Sequence, residues 1–458
     1  MTTQSALAYA HEHQDRFLEE LKALLRIPSI STLPDHADDI RRAAEWLADH
    51  MRAIGLEHVR VDPTAGHPVV VADWLHAPGR STVLIYGHYD VQPVDPLDLW
   101  ISDPFDPQVR DGNLYARGAS DDKGPFFAHL KALEAYLRAA GTLPLNVKVL
   151  CEGGEEIGSA HLDAYVYAHA ADLAADVVLI SDTTILGPDQ PSIVYGLRGL
   201  CYMEVEVTGP DHDLHSGQYG GAVHNPLQAL CEMIAALHDA EGRVTLPGFY
   251  DKVRPLSNEE RAEIARLRFN EERLKRETGV PAGWGEAGYT IAERIGARPT
   301  LEVNGVIGGW TGPGSKTVIP ARALAKISMR LVADQDPDEI DRLFREHIQR
   351  IAPDTVRVDV RSLAHGAPAL VDRHHPAMEA AARAYEAGFG ARPVFTREGG
   401  SIPIVATFQK ALGAPSVLMG LGLPDDRFHS PNEKFALANF YRGIATIIHF
   451  HSLLAEGG

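Results

Sequence analysis

Cysteine is scarce: Cys151, Cys201 and Cys231 are the only three in 458 residues, and no two lie close together. A disulfide framework and a zinc site built from cysteine pairs are excluded, and a reducing cytoplasm is the expected compartment. Long apolar runs are also missing; none approaches the roughly 18 residues that a membrane-spanning helix needs. Met1 to Phe17 is polar and lacks the apolar centre of a signal peptide. Positive charge is in deficit, with 43 Lys and Arg against 62 Asp and Glu, a formal net charge of -19. Nucleic acid and anionic membranes call for a basic footprint, so neither is an expected partner. There is no internal repeat and no low-complexity tract.

What is present is the composition of a globular protein, 45% hydrophobic and 23% charged, and the length favours two or three domains. Phe17, Leu18, Leu21, Leu24 and Leu25 recur at helical spacing, so residues 14 to 26 read as an amphipathic helix ending before Ile27-Pro28. Ile40 to Ile54 is a second helix, closed by Gly55. Short apolar runs follow at Val69 to Val71, Val83 to Tyr86, Val147 to Leu150, Val177 to Ile180 and Val417 to Met419, with helical stretches between most of them, notably Phe126 to Arg138. Strands alternating with helices predict an α/β fold with a largely parallel mixed sheet flanked by helices.

The middle of the chain has a different profile. Cys201 to Thr208 alternates apolar and polar residues, Lys326 to Leu331 and Val356 to Val360 are strand-like, and Pro226 to Leu237 and Pro337 to Ile351 are helical. Ser257 to Arg276 reads as one charged helix opened by a Ser257–Glu260 capping box, and Gly279 to Gly288 as a loop. The expected organisation is a catalytic domain in two parts, residues 1–196 and 365–458, with an α+β domain inserted at 197–364.

The chemistry sits where strands end. His88 and Asp90 follow the strand ending at Tyr86, Glu155 and Glu156 follow the one ending at Leu150, Asp182 follows the one ending at Ile180, and His429 follows the one ending at Met419. Ligands of open α/β sheets bind at the carboxyl ends of strands. Asp121 and Asp122 add carboxylates before the helix near Pro125. Singly, each has a plain reading: a helix cap for Asp121 or Asp122, a solvated acidic loop for Glu155-Glu156, a turn residue for Asp182, and ordinary structural histidines for His88 and His429. Together they form a set that repels itself unless a cation intervenes. A mixture of imidazoles and carboxylates suits zinc, manganese or cobalt.

Four strings stand in order: Tyr86-Gly87-His88-Tyr89-Asp90-Val91-Gln92-Pro93, Arg117-Gly118-Ala119-Ser120-Asp121-Asp122-Lys123-Gly124, Glu152-Gly153-Gly154-Glu155-Glu156-Ile157-Gly158 and Phe428-His429-Ser430-Pro431-Asn432-Glu433. From about residue 15 onward the chain resembles the dinuclear metallopeptidase family of carnosine and Cys-Gly dipeptidases, glutamate carboxypeptidases, acetylornithine deacetylases and aminoacylases. The first two strings favour the dipeptidase branch. The resemblance implies two divalent metal ions per subunit, zinc with manganese or cobalt as alternatives. One would be held by His88, Asp121 and Asp182 and the other by Asp121, Glu156 and His429. It also implies a cis peptide between Asp121 and Asp122, Asp90 orienting the His88 ring, and Glu155 as general base. Ser120 stands where the family often has threonine.

The same resemblance makes the inserted domain a lid and dimerisation domain. In Asp213-Leu214-His215-Ser216-Gly217, His215 would reach the active site of the partner subunit in a homodimer and stabilise the oxyanion. Arg330 would grip the substrate's C-terminal carboxylate, a task suited to a planar guanidinium. Thr317, in Lys316-Thr317-Val318-Ile319-Pro320, would contact substrate. So would Gly400 and Ser401, in Arg397-Glu398-Gly399-Gly400-Ser401-Ile402-Pro403. The implied reaction is hydrolysis of the amide bond of dipeptides with a free carboxylate; deacylation of N-acyl amino acids by the same chemistry is the alternative.

Overall fold

The computed structural model describes residues 2–400 and 402–457, and Ser401 lies outside the described residues. The chain divides into two compact units. One comprises Met1–Tyr195, Val371–Phe395 and Ile404–Gly458, the other Gly196–Leu370 and Thr396–Pro403. No described helix is long and apolar enough to cross a membrane.

The first unit is built on a mixed sheet in the order Glu57–Asp62, Val69–Trp74, Asn146–Glu152, Thr82–His88, Val177–Ile180, Ser416–Leu418, Ser192–Leu197. The four central strands, from Asn146–Glu152 to Ser416–Leu418, run parallel, and the outer pairings are antiparallel. Strands covered on both faces need unbroken apolar runs, and Val83, Leu84, Ile85 and Val177 to Ile180 are all buried. Parallel strands also bring their carboxyl ends to one rim. The helix Lys123–Ala140 is buried continuously from Lys123 to Tyr136. Even its first charge is used internally: Lys123 Nζ donates to the carbonyls of Ile27, at 2.7 Å, and Leu24, at 3.4 Å, just past and within the last turn of the helix Gln14–Leu25. Both carbonyls also accept from backbone N–H groups, Leu24 from Ile27 N at 3.2 Å and Ile27 from Ser29 N at 2.9 Å, and burial lowers the Lys123 amine to about 7.

The second unit carries a four-stranded antiparallel sheet in the order Thr300–Gly308, Arg322–Leu331, Gly199–Thr208, Arg357–Gly366. Along Gly199–Thr208 burial alternates residue by residue. Cys201, Met203, Val205 and Val207 pack with Leu230, Met233, Phe344 and Ile348 from the helices Pro226–Ala235 and Pro337–Ile351. A short ribbon pairs Leu214–His215 with Val318–Ile319. One expectation is corrected: residues 257–276 form two helices, Asn258–Ala265 and Glu271–Thr278. The Ser257 capping box is present, but Arg268 takes φ +50°, which ends a right-handed run. Asn270 then caps the second helix by accepting from Arg273 N at 3.0 Å.

Candidate active site

Within the first unit, the rim gathers the strand-end residues. His88 is the last residue of its strand and is wholly buried. Its Nε2 lies 3.1 Å from Asp121 Oδ1 and 3.7 Å from Asp182 Oδ2. On the other side, Asp121 Oδ2 lies 2.9 Å from His429 Nε2, which is also 3.2 Å from Glu156 Oε2. Two donor groups result, His88/Asp121/Asp182 and Asp121/Glu156/His429, each with its ligand atoms within 4.8 Å of one another. Asp121 belongs to both.

Glycine makes these approaches possible at Gly87, where a Cβ would fall 2.5 Å from the Phe126 ring and 2.6 Å from Asp122 Oδ2. The Asp121–Asp122 peptide bond is cis. Asp122 occupies the position before the helix Lys123–Ala140 but makes no side-chain cap; its carboxylate accepts instead from His88 N at 3.2 Å. The simple capping role open to Asp122 in the sequence is therefore not the one it plays. His429 takes φ +57°, a conformation that turns its ring from a loop toward Asp121 and Glu156.

Asp90 works in two directions. Its carboxylate lies 3.4 Å from His88 Nδ1, and its carbonyl 3.1 Å from the same nitrogen. The two carboxylate oxygens also accept from the backbone N–H groups of Glu155, at 3.2 Å, and Glu156, at 3.1 Å. These begin the single 3-10 turn Glu155–Ile157 after the strand Asn146–Glu152. Gln92 adds a bond to Glu156 Oε2 at 2.8 Å.

The charges are crowded. Burial raises the Glu155 carboxyl to about 9, with Asp182 and Glu156 adding to it against the opposing pull of His88. Burial likewise raises Asp182 to about 7, again opposed by His88. Burial also pushes Asp121 up, but hydrogen bonds from His429 and His88 outweigh it and hold that carboxyl below the usual range. Two other clusters of acids and histidines have internal cations: Lys131 sits among Glu20, Glu134 and His50, and Arg345 pairs with Asp341 beside Cys201 and His365. At the rim, by contrast, no Lys or Arg pairs with Asp121, Glu156 or Asp182 among the described residues. Imidazoles and carboxylates converging without an internal cation fit divalent metal ions of the zinc, manganese or cobalt type.

The sequence reading assigned no role to Glu433, yet this carboxylate anchors the loop that carries Asp121. It accepts from Arg117 Nη1 at 2.8 Å, Gly118 N at 3.0 Å, Ser120 N at 2.9 Å and Asp121 N at 3.2 Å, all buried. Ser120 Oγ donates to Asp426 Oδ2 at 2.8 Å. Arg117 and Glu433 stand at the ends of two quoted strings more than 300 positions apart, and only folding shows that they meet.

The remaining candidates belong to the second unit. His215 pairs across the ribbon with Val318, and Ser216 N donates to the Thr317 carbonyl at 3.0 Å, so His215 and Thr317 are close neighbours. Arg330 lies on the sheet face opposite the core formed by Ile327, Met329 and Leu331. Gly400 is in the segment Thr396–Pro403, where Arg198 Nε donates to the adjacent Gly399 carbonyl at 3.3 Å.

The sequence matches the family described as peptidase family M20/M25/M40 over residues 84–452. It is 33% identical to the Cys-Gly metallodipeptidase DUG1 of Candida albicans over 464 residues, covering 96% of this chain and 95% of that protein. The human Beta-Ala-His dipeptidase is 32% identical, with 98% of this chain and 92% of that protein covered. Among solved structures, the M20 family metallo-carboxypeptidase Sso-CP2 from Sulfolobus solfataricus superposes with a TM-score of 0.84 at 34% identity, covering 96% of this chain and 99% of that one.

Proposed function

The chain belongs to peptidase family M20/M25/M40, and from that premise we propose that it is a metallodipeptidase hydrolysing the amide bond of dipeptides with a free C-terminal carboxylate. One observation carries the reading: two groups of metal-ligating side chains share Asp121, and the turn that bears Glu156 carries a further carboxylate, Glu155. His88, Asp121 and Asp182 would hold one divalent cation, and Asp121, Glu156 and His429 the other, with zinc the metal we propose. Bound there, the two cations polarise the scissile carbonyl and lower the pKa of water.

The protein's own groups do the rest. Glu155 takes a proton from the attacking water and returns it to the departing amine, a transfer typically worth roughly 10²–10⁴-fold in rate. Asp90 fixes the His88 ring and the turn bearing Glu155. Arg330 binds the carboxylate of the substrate, with Thr317, Gly400 and Ser401 supplying further contacts, and His215 of a second copy of this chain stabilises the oxyanion in a homodimer. The three free cysteines support a reducing cytoplasm.

The test is metal analysis beside a panel of dipeptides, N-acetyl amino acids and N-succinyl amino acids. Cleavage of dipeptides that disappears on chelation and returns with zinc, manganese or cobalt is expected. Full activity after chelation, or turnover of the N-acyl compounds alone, overturns the proposal.

A further inference from the structure

Residues 92–101 follow Asp90 in the first unit and contain one 3-10 turn, Leu97–Leu99. In chain order, this stretch is attached to the carriers of all three members of the Asp121/Glu156/His429 group. Gln92 Nε2 donates to Glu156 Oε2 at 2.8 Å and to the Glu156 carbonyl at 3.2 Å. The Pro93 carbonyl accepts from Arg117 Nη2 at 2.9 Å, in the loop that leads to Asp121. The Leu99 carbonyl accepts from Asn432 Nδ2 at 2.8 Å, and Ile101 N donates to Asn432 Oδ1 at 2.8 Å, in the loop that bears His429.

These polar ties fix the stretch more than apolar packing does, since Leu97, Leu99 and Ile101 are 56, 58 and 79% exposed. Trp100 folds back: its Nε1 donates to the Val94 carbonyl at 2.8 Å, and its ring centre lies 5.4 Å from the Arg117 guanidinium carbon. The loop gripped at Asn432 needs such a hold. Arg427, His429 and Asn432 take φ of +60°, +57° and +63°, a region that residues other than Gly, Asn and Asp enter at a cost. The His429 side chain is 56% exposed, whereas His88 is wholly buried at the end of its strand. Asn432 is itself buried, and an amide can accept from one backbone group while donating to another. Among the described residues, no hydrogen bond joins residues 92–101 to His88 or Asp182. The shared Asp121 has its own hold through Glu433.

We propose that residues 92–101 are a strap, with Gln92 and Asn432 as positioning residues, that holds Glu156 and His429 together and sets the affinity of the second ion alone. The second ion is the one assigned to Asp121, Glu156 and His429, and the inference rests on that reading. Ligands already held in place lose less freedom when they bind, so a restrained group binds more tightly. The first ion draws His88 and Asp182 from the ends of two neighbouring parallel strands, which the strap does not touch.

The experiment titrates the full chain, stripped of metal, with cobalt(II). Paramagnetically shifted imidazole signals in proton NMR report each bound histidine, and His429→Ala assigns the second site. Gln92→Ala and Asn432→Gly are each expected to weaken the second cobalt by about tenfold or more, the scale for residues that orient ligands. The first cobalt stays within about threefold of wild type and shows that the variants are folded. Glycine accepts the left-handed backbone at position 432, so its effect reports the lost amide bonds. The double variant loses less than the product of the two effects, because each change releases the same stretch. Equal weakening of both ions, an unchanged second ion, or effects that multiply in full overturns the strap, and the dinuclear reading stands. If the wild type binds fewer than two cobalt ions, the dinuclear reading fails and hydrogen exchange decides the strap. Ser430 N donates to the Arg427 carbonyl at 3.0 Å within the gripped loop. Exchange there at least about tenfold faster in Asn432→Gly keeps the strap's hold on His429, and unchanged exchange overturns it.

Discussion

Replacing Glu433 by Gln tests how the loop bearing Asp121 is held. The wild-type carboxylate offers Oε2 to Arg117 and Gly118 and Oε1 to Ser120 and Asp121, with no exposed surface. An amide keeps one acceptor oxygen and turns an NH2 group toward the other two donors. If it faces Ser120 and Asp121, two buried N–H groups lose their acceptor, at about 1–3 kcal/mol each. If it faces Arg117, a buried guanidinium loses its ion partner, and breaking such a pair costs about 3–5 kcal/mol. The first orientation gives a local loss of about 2–6 kcal/mol and the second about 3–5 kcal/mol. With two units in the chain, a global unfolding curve is a poor reporter, so the assay is native-state hydrogen exchange at Gly118, Ser120 and Asp121. Exchange there should accelerate by about 10²–10⁴-fold. Metal affinity should fall about 10–100-fold, as it does when the residues that orient metal ligands are altered. Exchange within threefold of wild type, with unchanged metal affinity, would refute this account of Glu433.

Three further outcomes are expected. Glu155→Gln should lower kcat by at least about 10²-fold while the metal content measured by mass spectrometry stays the same; near-normal turnover removes Glu155 as the base. His215→Ala should lose activity without losing stability, and mixing it with Glu155→Gln should restore part of it through hybrid dimers, so a mixture as inactive as its components argues against donation across subunits. His451 is fully buried with no hydrogen-bond partner on either ring nitrogen among the described residues, and burial lowers its imidazole to about 4; His129, bonded to Ser181, is lowered by burial to about 3. Both bind a proton more readily unfolded, near 6.5, than folded. Their contribution to stability is therefore fully present above that pH and is lost as pH falls toward 4, with a slope of up to about 1.4 kcal/mol per pH unit each. In native-state hydrogen exchange of the helix Leu437–Gly457 from pH 7 to 4, His451→Leu should show the shallower decline in protection, and parallel profiles would contradict this.

Much of this architecture can be read in advance because its signals are local. Buried parallel strands leave unbroken apolar runs, and the alternation in Cys201 to Thr208 marks a sheet with one covered face. His88, Glu155, Glu156 and Asp182 are legible because each closely follows such a run, whereas Asp121 and His429 stand in loops. The break within residues 257–276 was harder to see, since charged residues at helical spacing hide one left-handed residue; Asn270 followed by Glu271 and Glu272 was the available cue. Glu433 and the second grip of Asp90 were not legible at all. Both depend on backbone N–H groups, which every residue has, and nothing in a side-chain pattern announces which ones a distant carboxylate will meet.

The divided attachment of Asp90 has an experimental consequence. One carboxylate restrains both an imidazole and the peptide groups leading to the residue proposed to move protons. Loss of that carboxylate would disturb ion retention and proton transfer at once, so kinetics of an Asp90 variant report a compound defect. Separating the two requires changes at His88 and Glu155 individually, with the Asp90 substitution measured on each background to expose how far they depend on each other.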